Sequence, residues 1–412
     1  MKAFFALVML ILPFVGLSQT NDIYTYRKGS VCTLLLTHRN LQFAKEIEDA
    51  FVKMSVPNKY NDHNLGKKVF YTTEKNLKIK DLDKHKGFII NGQSNQNEMN
   101  DFDLLLQKQF VASRMLAKWF NRNKSNGICD MQLITERGYS NSSELEKKLA
   151  NLSVRKEALL YDAGEELIGS TFVLINDIRY IEKGKIAKVA GEVVNIAVDV
   201  YMTTQGNSNY DNSIGDIISS FKGFNVKINT YLYQLIWDEH TEKTFYKKVY
   251  TEKQDEEKRK YFESHRGDYS LKYLGMQESS GKDISFDNEP EVMVLKACQR
   301  AFDENVANLQ KNFEVFKIKA PLLSVEPLTC EIGLKEGVSP DSKFEVLEVV
   351  EDEKGHVEYK RKGIIRPEKN KIWDNRFMAK EEGAENADLG FTTFTKVSGS
   401  GFYPGMLVRE IK

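Results

Sequence analysis

The sequence predicts an α+β protein in three parts: an N-terminal α/β and helical unit, a central antiparallel sheet with packed helices, and a C-terminal small SH3-like β-barrel. Three observations predict it. A strand-like apolar run near the N-terminus is followed at once by an amphipathic helix pattern; the hydrophobic period changes from helical to two at Gly169; and residues 328–412 are short alternating runs punctuated by glycine.

The chain opens "MKAFFALVMLILPFVGLSQT", with one cation at Lys2, an apolar run from Ala3 to Leu17, and small residues at Gly16 and Ser18. This is the pattern of an export signal, assigned to residues 1–19. The run is shorter than the roughly 18 to 20 apolar residues that span a bilayer. Export to the periplasm, or to the periplasmic face of the outer membrane, is the expectation. The next unit, 20–93, begins with "SVCTLLLTHRN" (30–40), read as a buried strand. In the following "LQFAKEIEDAFVKM", Leu41, Ala44, Ile47, Phe51 and Met54 share a helical face. Two short strands, "KVFYTT" and "GFIING", are expected after a polar turn.

From residue 94 the pattern is helical. "NDFDLLLQKQFVASRMLAKWF" (100–120) reads as one helix, and Ser143 with Glu146 has the form of a capping box opening a second, which should end near Ile168. "STFVLINDIRYIEK" then begins the central sheet. "FNVKINTYLYQLIWDEH" and "KTFYKKVYTE" read as a hairpin turning near Thr241 and Glu242, and "DYSLKYLGMQ" adds a strand. A helix over 289–316, with Pro290 in its first turn, is expected to back this sheet. An insertion, 185–222, carries an apolar stripe that includes Val193 and Val194. Its expected place is against the sheet, with peripheral membrane contact as the alternative. "KAPLLSVEP" (319–327) reads as a linker containing Pro321 and Pro327, and four or five short strands follow as the barrel, 328–412.

Composition excludes several functions. Lys plus Arg and Asp plus Glu are 59 each, so no net charge holds the chain on nucleic acid. Cys32, Cys129, Cys298 and Cys330 stand far apart without a C-x-x-C pair, which argues against a zinc ribbon. Buried free thiols are expected over a Cys298–Cys330 disulfide. "GEELIGST" (164–171) approaches a phosphate loop, but it lies where a helix ends and a strand begins. That is the reverse of the required order, and Ser170 stands where the lysine should be. No nucleotide, metal or other cofactor is called for, since no histidine pair has ligand spacing and no G-x-S-x-G occurs.

Aromatic residues carry more information. On a strand, Tyr231, Tyr233 and Trp237 would share one face, a candidate partner-binding surface together with Val193 and Val194 of the insertion. Packing of the helix over 289–316 against that face is the competing expectation. For an enzyme, His63 with Asp62 would be the acid–base candidates of a hydrolase acting on an envelope or extracellular polymer.

The strings "PNKYNDHN", "AKWFNRN", "ERGYSNSSE", "DAGEELIGSTFVLINDI", "INTYLYQLIWDE" and "VSGSGFYPGMLVREI" resemble a family of exported envelope proteins of the Bacteroidota, over nearly the whole mature chain. The resemblance implies an envelope location and no particular activity. "GLKEGVSPDSKFEVLE" (333–348) resembles the small β-barrels of flagellar-assembly and curli-secretion accessory proteins. Together these lead to the expectation of a non-enzymatic structural or accessory component. It would bind other envelope proteins or the inner face of the outer membrane.

Overall fold

The computed structural model describes residues 27, 29–38, 41–66, 69–71, 101–141, 167–181, 224–283, 289–351 and 357–411. β1 (Ser30–Thr37) is buried along its whole length. Its apolar residues fall at both even and odd positions, Val31 and Leu35 as well as Cys32, Leu34 and Leu36, whereas a strand wet on one face would alternate. β4 (Thr171–Tyr180) runs parallel to it, in register from Ser30 opposite Thr171 to Leu36 opposite Asp177. On the other side, β2 (Asn61–Asp62) pairs with Ser30 and Val31, and β3 (Val69–Tyr71) with Leu35 to Thr37. β5 (Phe224–Leu235) and β6 (Leu271–Asp283) extend the sheet beyond β4, each antiparallel to its neighbour. The order is β2-β1-β4-β5-β6, with β3 beside β1.

Alternation along the strands gives the sheet two apolar faces. Cys32, Leu34, Val173, Ile175, Tyr231 and Tyr233 pack under α2 (Asp101–Lys108), α3 (Val111–Trp119), α4 (Gln132–Asn141), α5 (Glu239–Lys248) and α6 (Glu256–Ser264). Val31, Leu35, Phe172, Leu174, Ile228 and Leu232 face α1 (Ala44–Lys53) and the long α7 (Pro290–Asn312). Each large apolar side chain buried this way contributes about 1.5–3 kcal/mol, so both layers are needed to hold β1. A polar thread crosses the core: Asn176 Nδ2 donates to the Leu34 carbonyl, Thr230 Oγ1 to Asn176 Oδ1, and Asn305 Nδ2 to Thr230 Oγ1. It ties β1, β4, β5 and α7 into one register. At Gly281 a Cβ would stand 1.9 Å from the Ala297 carbonyl oxygen, so glycine lets β6 and α7 touch backbone to backbone.

The C-terminal part is a small antiparallel barrel of β7 (Ala320–Val325), β8 (Leu328–Cys330), β9 (Lys343–Glu351), β10 (Val357–Pro367), β11 (Thr392–Gly399) and β12 (Leu407–Ile411). Their pairings run β10-β11-β8-β7-β12-β9, and β9 returns to β10. Leu322, Val346, Ile365, Phe394 and Val408 fill it.

The α+β class and the small barrel are as the sequence predicts, while four details differ. β1 does not belong to a separate N-terminal sheet; it lies inside the central one, making that sheet mixed, because a strand apolar on both faces needs cover from both. The expected hairpin partner is helix α5: Asp238 caps it by accepting from the Thr241 N–H at 2.8 Å, with Glu239 and Glu242 in the first turn and Lys247 and Lys248 in the last. Those charges match the helix dipole and outweigh the β-like composition. The helix expected over 100–120 is broken at Phe110, whose left-handed backbone (φ 52°) starts α3 afresh. The proline-marked stretch 319–327 is strand β7 rather than a linker, which gives the barrel six strands. The junction at Gly169 is as expected: helix through Gly169, strand from Thr171. The helix opening at Ser143 and the insertion 185–222 lie outside the described residues.

Candidate binding cleft

Where the sandwich meets the barrel, the amino ends of β1 and β4, the carboxyl end of β5, the 314–319 connection and β12 leave a cleft of about 890 Å³ including its open mouth. Tyr60 builds one wall. Its ring stacks on Phe316 at 4.8 Å and its hydroxyl donates to the Phe316 carbonyl, fixing the connection against the sheet. Val315, the next residue out, is 57% exposed at the rim. Lys59, Lys317, Lys319 and Arg409 line this cleft with one acid, Glu314. An adjoining hollow of about 680 Å³ shares Glu314, Lys317 and Arg409 and adds Lys311, Arg361, Glu345 and Glu410.

The electrostatics are ordered from the bottom up. Glu345 is 2% exposed and would be pushed up by burial, but Arg361 and Arg409 hold it below the usual carboxylate range. Their Nε atoms donate to it at 2.6 and 2.7 Å. Arg409 then reaches forward to Glu314 at 2.7 Å, and Lys317 reaches the same carboxylate at 3.0 Å. The hydrogen bond from Lys317, with the charge of Arg409 nearby, lowers the Glu314 carboxyl from its ordinary value. Lys59 lies 3.6 Å from Glu331, and Lys319 sits over the Tyr359 ring at 3.9 Å. Basic groups outnumber acidic ones along the cleft, and two have little freedom: the Lys59 and Lys317 side chains are 13% and 12% exposed. The lining thus sets positive side chains beside an exposed apolar residue, Val315, at the rim.

The residues singled out in the sequence lie elsewhere. Tyr231 and Tyr233 are 0% exposed, so they are core and not a partner surface, but the α2–α6 layer covers them and not the expected 289–316 helix, which as α7 packs on the opposite face. Phe102 on α2 is 4.6 Å from Tyr231. Trp237 is partly buried against Phe120, Phe245 and Tyr246. Val193 and Val194 lie outside the described residues. His63 is fully buried: its Nε2–H donates to the Met115 carbonyl at 3.0 Å and its Nδ1 accepts from Arg137 at 2.7 Å. Burial, then the Arg137 charge, holds its pKa well below the ordinary value. With both ring nitrogens engaged, His63 offers no free base. Asp62 accepts from the Asn64 backbone. All four cysteines are buried free thiols, with Cys298 under the sheet and Cys330 inside the barrel.

A second polar cluster stands at the carboxyl ends of β1 and β4, a place where open sheets often hold ligands. There Asp177 accepts from His38 at 2.9 Å and twice from Arg179, at 3.1 and 2.6 Å. Its oxygens are taken up within the fold.

Among the described residues no helix is long and apolar enough to cross a membrane, and no cluster of metal-ligating side chains occurs. No family model matches the chain, and no curated protein matches it. The cleft carries no motif that sequence reading would catch. Its cations come from positions 59 to 409, and only the alternation of Lys317 and Lys319 hints that one strand-like stretch presents charge to one side.

Proposed function

We propose that the protein is a non-enzymatic component of the bacterial cell envelope that binds another protein through the cleft between sandwich and barrel. The observation that carries the reading is the cationic surplus of Lys59, Lys317, Lys319 and Arg409 in a groove open to solvent, within a chain of no net charge. A charged groove raises the local concentration of oppositely charged segments and speeds encounter. The partner segment is therefore acidic and extended. The apolar leader at residues 3–17 supports the envelope as the compartment.

A photo-crosslinking side chain at Val315 tests the reading in the full-length protein, with a Glu-rich decapeptide as the defined probe. Crosslinking should fall several-fold when salt is raised from about 50 to 500 mM, because the Debye length shrinks from over 10 Å to about 4 Å. It should also fall in the Lys59→Glu, Lys317→Glu pair. Crosslinking that ignores both salt and the two substitutions would overturn the assignment.

A further inference from the structure

We propose that docking of the barrel onto α7 is a proton-linked latch centred on Asp303. α7 turns a stripe toward the barrel at helical spacing, polar but for Ala307: Lys296, Arg300, Asp303, Ala307 and Lys311. Lys296 pairs with Glu382, and Arg300 bonds Glu382 and the Phe377 carbonyl, the latter at 2.9 and 3.0 Å. Lys311 donates to the Gly337 carbonyl at 2.7 Å. Ala307 lies beneath Gly337, where a Cβ would come within 3.1 Å of it.

The middle of the stripe is the weak point. Asp303 is 5% exposed. Its Oδ1 accepts from Gln299 at 2.9 Å, and the Lys335 ammonium stands 3.8 Å away, beyond a hydrogen bond. Its Oδ2 has no hydrogen-bond partner among the described residues. Gln299 is itself fixed by the Ser55 backbone N–H, so the donor cannot turn to serve both oxygens. From the barrel side Lys335 attracts the carboxylate and Glu336 repels it. Burial pushes Asp303 up to about 7, with Lys335 and Gln299 opposing.

Undocking would expose Asp303 and return it toward the ordinary value of about 3.9. Between those values the docked form binds a proton that the undocked form releases. Docking is therefore strongest below about pH 4, weakens by at most about tenfold per unit as pH rises, and levels off above about 7. Arg409 of β12 and the 314–319 connection border the cleft, so the latch sets how firmly that wall is held. It operates whatever the cleft binds.

Ala307→Cys places a thiol under the barrel that only undocking exposes, while the four native thiols are buried. Its modification rate by a small thiol reagent, divided by that of free cysteine at each pH and corrected for the parent chain, reads the open fraction. Gln310→Cys, also covered, is the second reporter should the first variant not fold. The corrected rate should rise on the order of 10- to 100-fold from pH 5 to pH 8 and stay within about threefold when Asp303→Asn is added. An equal rise with and without Asp303→Asn, or no rise in the single variants, would overturn the latch.

Discussion

Asp177→Asn removes one charge from a buried cluster without changing its shape, and its consequence can be worked from the contacts. The carboxylate receives three hydrogen bonds, from His38 Nε2 and from Arg179 Nε and Nη2. Burial by itself would raise its pKa, but Arg179 and His38 together hold it far below the ordinary carboxylate range. An amide presents one acceptor oxygen and turns its NH2 toward a donor. The variant therefore loses one charge-assisted bond outright and weakens the others. Bonds to a charged group contribute about 1.5–3 kcal/mol each, and breaking a buried pair costs about 3–5 kcal/mol. The Arg179 side chain is a quarter exposed (24%), so water screens part of the loss, and the expected destabilisation at pH 7 is about 2–4 kcal/mol. Because the folded pKa is depressed, this stabilisation is present above the unfolded value near 4 and fades as pH falls below it. Urea unfolding followed by tryptophan fluorescence should show the wild-type and variant curves well apart at pH 7 and drawing together toward pH 2. A gap that stays constant over that range, or a variant as stable as wild type at pH 7, would refute the electrostatic account.

Two further outcomes are expected, besides those of the charge reversal at the cleft and of the latch. Gly281→Ala must separate β6 from α7, since the added methyl would meet the Ala297 carbonyl, a backbone atom that cannot swing aside; overpacking of this kind lowers stability by about 1–3 kcal/mol or more, read as a fall in Tm with circular dichroism otherwise native. Burial pushes Cys32 up to about 11 and Cys330 up to about 12, so a thiol reagent at pH 8 should leave the native chain unmodified and label four cysteines in urea. Rapid labelling of either residue in the native protein would show that its shell is open.

The class of the fold was legible because it is written in local periodicity. β1, the α1 face and the change of period at Gly169 follow from side-chain spacing alone, and the barrel strands from short alternation between glycines. Where the reading went astray, a local signal competed with a stronger one. The aromatic and β-branched content of 243–252 suggests a strand, yet the Asp238 cap and graded charges make a helix over Glu239–Lys248. The face of Tyr231 and Tyr233 stays open in the sequence because a strand's alternation says which residues share a face and cannot say which face is wet.

What the sequence determined by itself is thus the α+β class, the β1–α1 opening, the change of period at Gly169 and the buried free thiols. Only tertiary structure decided that β1 enters the central sheet parallel to β4, that His63 is sealed between Met115 and Arg137, and that three lysines and an arginine from three separate stretches converge on one cleft. Those outcomes depend on contacts between residues far apart in the chain, 52 and 74 positions at His63 and 256 between Tyr60 and Phe316 in the cleft wall. Sequence spacing is silent on them, because their free energy arises only once the layers have closed.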